Sequence, residues 1–219
     1  MNSIDNVLAS RYASEPMQEL WAPEAKIRLE RQLWIAVMRA QQELGISIPK
    51  GIPEQYEAVI DTVNLESIAE RERVTKHDVK ARIEEFNDLA GAEHIHLGMT
   101  SRDLTENVEQ LQIRLSLILI RDKSIAALDR LSGLAVAYSE LAMAGRSHNV
   151  AAQITTLGKR MATFAEELLF AVERLEELID AYPLRGIKGP VGTAQDMLTL
   201  LDGNVEALSK LESLVATHL

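Results

Sequence analysis

The chain has 219 residues, a formal net charge of −10 and no cysteine; 47% of its residues are hydrophobic, but only 4% are aromatic. This length fits one large domain or two modest ones, and a core built from aliphatic side chains favours helices. The acidic balance without a basic patch argues against a nucleic-acid partner, the lack of cysteine excludes disulfides and thiolate metal sites, and no apolar run is long enough to span a membrane.

The first hundred residues predict short helices separated by turns. One helix is expected from Glu24 to Leu44, where apolar residues recur near one face and Gly45 follows as a C-cap. One or two short helices are expected over 54–69, and another over 75–91 ends at its terminal glycine. The N-terminal residues lack the cationic and apolar segments of a signal peptide, so a cytoplasmic location is expected.

From Thr100 onwards the hydrophobic pattern changes to long seams with steps of four and three residues. Such seams are typical of long helices that pack at shallow angles in a bundle. We therefore predict an all-α fold, with a small helical N-terminal domain over 1–100 and the first part of a central long-helix bundle over 101–219. Because the seams leave an apolar stripe without a partner, we expect an oligomer, a missing segment or both. The seam residues are Leu104, Val108, Leu111, Leu115 and Ile118, then Leu157, Met161, Phe164, Leu168, Ala171, Leu175 and Leu178, then Leu198, Leu201, Val205 and Leu208.

The predicted long helices begin near a glycine and a threonine. Thr100 with Asp103, and Thr193 with Asp196, have the spacing of a capping box, in which a hydroxyl and an acidic side chain satisfy the first N–H groups. Helix capping alone is one interpretation. The other is that the helix start at Thr100 and Ser101 holds an anionic ligand, because unpaired N–H groups and the helix dipole favour negative charge there.

A second polar group lies in the segment Lys76-His77-Asp78, where a cation, an imidazole and a carboxylate are adjacent. The carboxylate could orient a histidine, and the three side chains together suit a polar ligand. The alternative interpretation is a charged helix start with Thr75 as its N-cap. The residues alone leave both alternatives open.

Two further pairs of polar residues lie in the N-terminal half of the sequence. Arg11 and Tyr12 offer a positive charge and a hydroxyl that suit a phosphate, although an exposed surface pair explains them equally well. His94 and His96 alternate as some metal ligands do. We nevertheless predict no metal site, because no cysteine and no matching His/Glu pair supports one.

The segment 144–160, "AGRSHNVAAQITTLGKR", is more polar than a turn between two helices requires. His148, Asn149 and Gln153 crowd a predicted loop before a helix that starts near Thr155. A lone loop histidine is usually only a hydrogen-bonding residue, and the alternative is that His148 moves a proton. Neither a nucleophile elbow nor a phosphate-binding glycine loop is present.

Taken in order, these segments resemble the adenylosuccinate lyases, a family of the fumarase/aspartase superfamily. The resemblance rests on "RY" at 11–12, "KHDV" at 76–79, "HLGMTSRD" at 96–103 and "GRSHNVAAQITTLGKR" at 145–160. The segment "IKGPVGT" at 187–193 also resembles the turn before the third bundle helix of that family. The order and spacing agree over nearly the whole chain.

Three departures from the family pattern stand out. Asn149 follows His148 where the family usually has glycine, and Ile154 stands where many members have proline. The family's Gly-Ser-Ser signature loop, which carries the serine taken as the general base, has no counterpart in these residues. We therefore expect the chain to be an N-terminal portion of a longer protein and to be inactive alone.

The resemblance implies β-elimination of fumarate from adenylosuccinate and from the succinylated aminoimidazole carboxamide ribotide of purine synthesis, with no cofactor. It assigns His148 as general acid, His77 as an assisting or phosphate-binding catalytic residue, and Thr100 and Ser101 to a succinyl carboxylate. The residues that it assigns to the nucleotide are Arg11, Tyr12, Lys76 and Asp78. It also implies a homotetramer with shared active sites, small-molecule substrates, and no nucleic-acid or membrane partner. The alternatives are another lyase or a cycloisomerase of the superfamily, or a non-catalytic helical scaffold.

Overall fold

A computed structural model describes residues 6–219, and the predicted all-α class is confirmed: apart from one two-stranded hairpin, the regular structure of these residues is helical. The chain begins with a short π-helical turn at Leu8–Tyr12. The α-helices are α1 (Glu15–Leu20), α2 (Pro23–Glu43), α3 (Ile52–Glu57), α4 (Leu65–Thr75), α5 (Asp78–Ala90), α6 (Ser101–Ala137), α7 (Leu157–Ala181), α8 (Gln195–Leu200) and α9 (Val205–His218). The hairpin strands are β1 (Ala142–Ser147) and β2 (Val150–Thr156).

The described residues form two compact units. Unit 1 contains the chain up to Gln112 together with Pro183–Leu219, and unit 2 contains Ile113–Tyr182. The C-terminal segment belongs to unit 1 because α9 packs along α2. These units divide the chain differently from the domains expected over 1–100 and 101–219, and those domain limits stay a prediction.

Helix α2 is the centre of unit 1. Pro23 occupies its first turn, where the missing N–H costs nothing, and Gly45 follows its end with a left-handed backbone (φ 93°), as predicted. Apolar residues of α5, α6, α8 and α9 join α2 in one buried cluster. The largest fully buried apolar side chains of this core are Trp34, Tyr56, Phe86, Leu33, Met38, Leu104, Met197 and Leu211.

The third predicted seam does not form one long helix. Asp202 (φ 52°) and Gly203 (φ 76°) adopt left-handed backbone conformations, which separate α8 from α9. The capping box predicted from Thr193 and Asp196 is also wrong: Ala194 (φ 50°) is the N-cap of α8, and no side chain caps that helix. The four- and three-residue spacing of apolar residues continues across this break, although the dipeptide Asp202-Gly203 favours a turn there.

In unit 2 the segment expected to be a polar loop folds as the β1–β2 hairpin. Ser147 pairs with Val150, so the turn consists of His148 and Asn149, both with left-handed backbones (φ 50° and 63°). Two consecutive left-handed residues form a type I′ turn, which matches the twist of antiparallel strands. The register shifts once, between Gly145 and the next residue.

Helix α7 follows the hairpin directly. Its N-cap is Thr156, whose hydroxyl accepts the Lys159 N–H at 3.1 Å. Val172 is buried, whereas Phe164 and Phe170 are 51% and 58% exposed, so α7 has apolar side chains on more than one face. No helix in the described part of the chain is long and apolar enough to cross a membrane.

Candidate functional site

The segment Lys76-His77-Asp78 forms the junction between α4 and α5. Lys76 ends α4 with a left-handed backbone (φ 54°), and Asp78 is the first residue of α5. His77 is the N-cap of α5, because its Nδ1 accepts the Lys80 N–H at 3.3 Å. The alternative of Thr75 as N-cap is wrong: its hydroxyl instead bonds the backbone of His77, accepting from the N–H and donating to the carbonyl.

The imidazole of His77 has different contacts in its two protonation states. In the neutral ring, Nδ1 must be unprotonated to accept the Lys80 N–H, so the proton lies on Nε2. In the protonated ring, Nδ1 carries a proton and lies 3.6 Å from Oδ1 of Asp78. Protonation therefore exchanges a helix cap for an ion pair. Both side chains are 53% exposed, which leaves them accessible to a ligand.

The carboxylate of Asp78 places a negative charge beside His77. Burial alone would raise the pKa of the Asp78 carboxyl, but the Val79 N–H and the Arg82 side chain donate hydrogen bonds to it. Together with the charges of Arg82 and His77, these bonds lower the pKa of Asp78 below its usual value. Oδ2 of Asp78 accepts from Nη2 of Arg82 at 2.9 Å, so the position of the carboxylate is fixed from α5.

The second predicted element lies at the start of α6, a helix of 37 residues. Ser101 is its first residue, and both Thr100 and Ser101 are partly exposed. One arm of the predicted capping box is confirmed, because Oδ2 of Asp103 accepts the Thr100 N–H at 2.9 Å. Asp103 is fully buried, so the turn that carries Thr100 and Ser101 is held from the interior of unit 1.

Asp103 also binds the segment 185–189, which lies before α8. Its Oδ1 accepts two backbone N–H groups of that segment at 2.9 and 3.0 Å, and Arg185 forms an ion pair with it. Asn107 continues the contact, since its amide donates to the Gly186 carbonyl and accepts the Gly186 N–H, both at 3.0 Å. Arg185 cannot be identified from the sequence, because no local pattern links it to Asp103, which lies 82 positions earlier.

His96 is hydrogen-bonded to the core helix α2. Its Nδ1 accepts the indole N–H of Trp34 at 2.9 Å. Burial lowers the pKa of His96 to about 4; the charge of Asp103 opposes this change and the charge of His77 adds to it. His77, His96 and Asp103 therefore lie close enough in unit 1 for their charges to interact. Within residues 6–219 no group of three or more His, Cys, Asp or Glu side chains could hold a metal ion.

The remaining predicted residues take no part in these contacts. Arg11 and Tyr12 end the π-helical turn, and Tyr12 is 75% exposed. His148 is exposed on the hairpin turn of unit 2, where both it and Asn149 have left-handed backbones. The carbonyl of Asn149 lies 3.5 Å from Nη1 of Arg146. The roles of these residues stay predictions.

The family model for lyases matches residues 12–213, which is most of the chain. The chain belongs to the lyase family. Two curated relatives are adenylosuccinate lyases: that of Caenorhabditis briggsae is 33% identical over 218 residues, covering 98% of this chain and 46% of the relative. That of Saccharomyces cerevisiae is 32% identical over 213 residues, covering 95% and 44%. The chain thus spans less than half the length of these lyase relatives.

Solved structures agree with the family at the level of the fold. A fumarate lyase from Mesorhizobium sp. BNC1 superposes with a TM-score of 0.78 at 25% identity, covering 94% of this chain and 48% of that one. The β-carboxy-cis,cis-muconate cycloisomerase from Acinetobacter calcoaceticus sp. ADP1 gives a TM-score of 0.76 at 19% identity, covering 96% and 50%. The helical architecture of the lyase family is therefore shared by proteins named for different activities.

Proposed function

We propose that this chain is part of an adenylosuccinate lyase, which releases fumarate by β-elimination from adenylosuccinate and from the succinylated aminoimidazole carboxamide ribotide. The observation that carries the proposal is the agreement in name among the curated relatives, together with the motif set at 76–79, 96–103 and 145–160. Relatives named adenylosuccinate lyase reach 31–34% identity over at least 84% of the chain. The cycloisomerase structure is only 19% identical, so it supports the fold alone.

The chemistry requires a base that removes a carbon-bound proton, donors that stabilise the resulting aci-carboxylate, and an acid that protonates the leaving nitrogen. We assign the acid to His148, because an imidazole titrates near neutral pH and its place on a hairpin turn leaves the ring exposed. The start of α6 at Thr100 and Ser101 would bind a succinyl carboxylate, where the helix dipole favours an anion. No cofactor is part of this proposal.

The nucleotide part of the substrate is assigned to residues of unit 1. His77 in its neutral form carries its proton on Nε2, the nitrogen that does not cap α5, and this N–H suits a phosphate oxygen. Lys76 and Arg11 would add positive charge, and Tyr12 and Asp78 would contact the nucleotide. The proposal includes a homotetramer with shared active sites in the cytoplasm, in which other copies cover the apolar side chains that α7 exposes.

The test is turnover of adenylosuccinate, followed by ultraviolet absorbance, with the complete gene product and with residues 1–219 alone. We expect fumarate release from the complete product and none from residues 1–219, because the base serine has no counterpart in this segment. Turnover of argininosuccinate but not adenylosuccinate would contradict the assigned substrate. Absence of turnover with every superfamily substrate would favour the non-catalytic scaffold.

The role of His148 has its own variant. His148→Ala in the complete product should lower kcat by on the order of 100-fold or more, as loss of a general acid does. The neighbouring Asn149→Gly variant is the matched control, because glycine keeps the type I′ turn and leaves the imidazole in place. A kcat within about twofold of wild type for His148→Ala would remove His148 from the mechanism.

A further inference from the structure

Two buried ion pairs join α2 to α5, and their polarities are reversed. In the first, Arg31 of α2 binds Glu85 of α5 at 2.6 Å, with side chains 0% and 3% exposed. In the second, Glu30 of α2 lies 2.6 Å from Nε of Arg82 on α5, with side chains 0% and 13% exposed. The two pairs share the same helices, but their further contacts differ.

The Arg31–Glu85 pair has the contacts of a structural clamp. Nη1 of Arg31 donates to the carbonyls of Val59 and Ile60 at 3.0 and 2.8 Å. The second oxygen of Glu85 accepts the Asn64 N–H at 3.2 Å. Both oxygens of this buried carboxylate therefore have a donor, and the pair ties the segment before α4 to the core.

The carboxylate of Glu30 lacks the kind of hydrogen bonds that both oxygens of Glu85 accept. Among residues 6–219, neither oxygen of Glu30 accepts an aligned hydrogen bond, although Nε of Arg82 is close. Nε of Arg82 and Nε of Arg31 likewise have no aligned acceptor in this part of the chain. Burial raises the pKa of Glu30 to about 7, and the charge of Asp78 adds to this; the charges of Arg82 and Lys26 oppose it. An under-bonded buried pair is poor evidence for a purely stabilising role, so its other contacts decide what it does.

Those contacts lead to the candidate site. While Nε of Arg82 faces Glu30, its Nη2 donates to Oδ2 of Asp78 at 2.9 Å. The other carboxylate oxygen of Asp78 faces Nδ1 of His77 at 3.6 Å. One guanidinium thus connects a carboxylate in the core with the carboxylate beside the site histidine.

We infer that Arg82, anchored in the core by Glu30, is a positioning residue that holds the Asp78 carboxylate beside His77. The functional meaning of this arrangement rests on the proposed function, which places His77 in the active site. The fork of an arginine is required, because two different nitrogens contact two carboxylates at once. A lysine has a single nitrogen and cannot occupy both positions.

The test follows the His77 imidazole by NMR across a pH titration of the 219-residue chain, which has five histidines. The charged neighbours of His77 on its own segment are Lys76, Asp78 and Lys80. The charges of His96 and His77 interact, and so do those of Glu30 and Asp78. In wild type, Asp78→Asn should shift the His77 titration curve, because it removes the carboxylate that is held beside the ring. In an Arg82→Gln background the same substitution should shift the curve less, since the carboxylate is no longer held there. Arg82→Lys should restore only part of the wild-type shift.

Glu85→Gln is the matched control, since it breaks the other ion pair between the same helices. It should lower the stability of unit 1 and leave the shift caused by Asp78→Asn unchanged. If Arg82→Gln does not fold, the double variant Glu30→Gln/Arg82→Gln removes both charges of the pair and should reduce that shift in the same way. A full shift in the folded Arg82 variant, or an equal reduction in Glu85→Gln, overturns the inference.

The inference and the proposed function fail separately. The titration reports on Arg82, Asp78 and His77 whether or not the protein turns over adenylosuccinate. Turnover by the wild-type complete gene product decides the function, and the effect of Asp78→Asn on the His77 titration decides the positioning role.

Discussion

The buried carboxylate of Glu30 predicts a specific dependence of stability on pH. Its pKa is raised from 4.5 to about 7, chiefly by burial. The folded state therefore holds a proton that the unfolded state releases between these two values. A group of this kind contributes its full stability below pH 4.5, and that contribution falls as pH rises to about 7.

The size of the effect follows from the distance between the two pKa values. Each pH unit corresponds to about 1.4 kcal/mol, so Glu30 should remove about 3 kcal/mol of unfolding free energy between the lower and the upper value. Glu30→Gln carries no titrating group and keeps a similar shape. The unfolding free energy of the variant, relative to wild type, should therefore rise by about 3 kcal/mol as pH increases from 4.5 to 8.

The assay is urea unfolding of both proteins at a series of pH values, monitored by tryptophan fluorescence. Both tryptophans, Trp21 and Trp34, lie in unit 1, so the signal reports on the unit that contains Glu30. Subtracting the wild-type curve from the variant curve cancels the titration of all other groups. A difference that is constant across the range would show that Glu30 titrates alike in the folded and unfolded states, and the reasoning from burial would be refuted.

Three further tests, with five variants, concern other parts of the molecule. His96→Asn keeps a residue suited to the left-handed backbone (φ 64°). The lowered pKa of His96 by itself reduces the unfolding free energy by about 3 kcal/mol as pH falls from 6.5 to 4, and the variant should lack this contribution. Urea unfolding of both proteins at pH 6.5 and at pH 4 measures the difference. Gly158→Ala places a Cβ 2.4 Å from the Ala135 carbonyl oxygen and should destabilise unit 2 by roughly 2 kcal/mol or more. Gly133 has open space around it, so Gly133→Ala should stabilise α6 by up to about 1 kcal/mol. Circular dichroism melts compare the two variants, and equal effects would contradict the packing argument. Asn149→Val should cost about 1–2 kcal/mol because a branched side chain resists a positive φ (63°), while Asn149→Gly should be close to neutral in the same melts.

The parts of the fold that sequence predicts well are those with local causes. The end of α2 at Gly45 and the end of α5 at Gly91 follow from glycines that adopt a left-handed backbone. The break between α8 and α9 also has a local cause in the turn dipeptide Asp202-Gly203, which outweighs the spacing of the apolar seam. The hairpin turn is less apparent from local sequence, because His148 and Asn149 are weaker turn signals than Asn-Gly.

The contacts that organise the candidate site are of another kind. Asp103 could be identified from capping-box spacing with Thr100, but its ion pair with Arg185 joins residues far apart in sequence. Likewise, nothing near Glu30 in the sequence marks it as the partner of Arg82. Local propensity constrains helix ends and turns, whereas the pairing of buried charges depends on which helices pack together. The site could be predicted as a set of motifs but not as a network.

Glu30 and His96 illustrate why such a network is hidden from simple measurements as well. Between about pH 4.5 and 6.5 the unfolded chain has an ionised Glu30 and a protonated His96, while the folded chain has both groups neutral. Folding therefore adds a proton to Glu30 and removes one from His96, so the number of protons bound by these two groups does not change. Their opposite contributions cancel in the wild-type stability curve over that interval. These two groups together therefore add no slope to the wild-type profile over that interval, and the single variants, whose slopes have opposite signs, reveal each group.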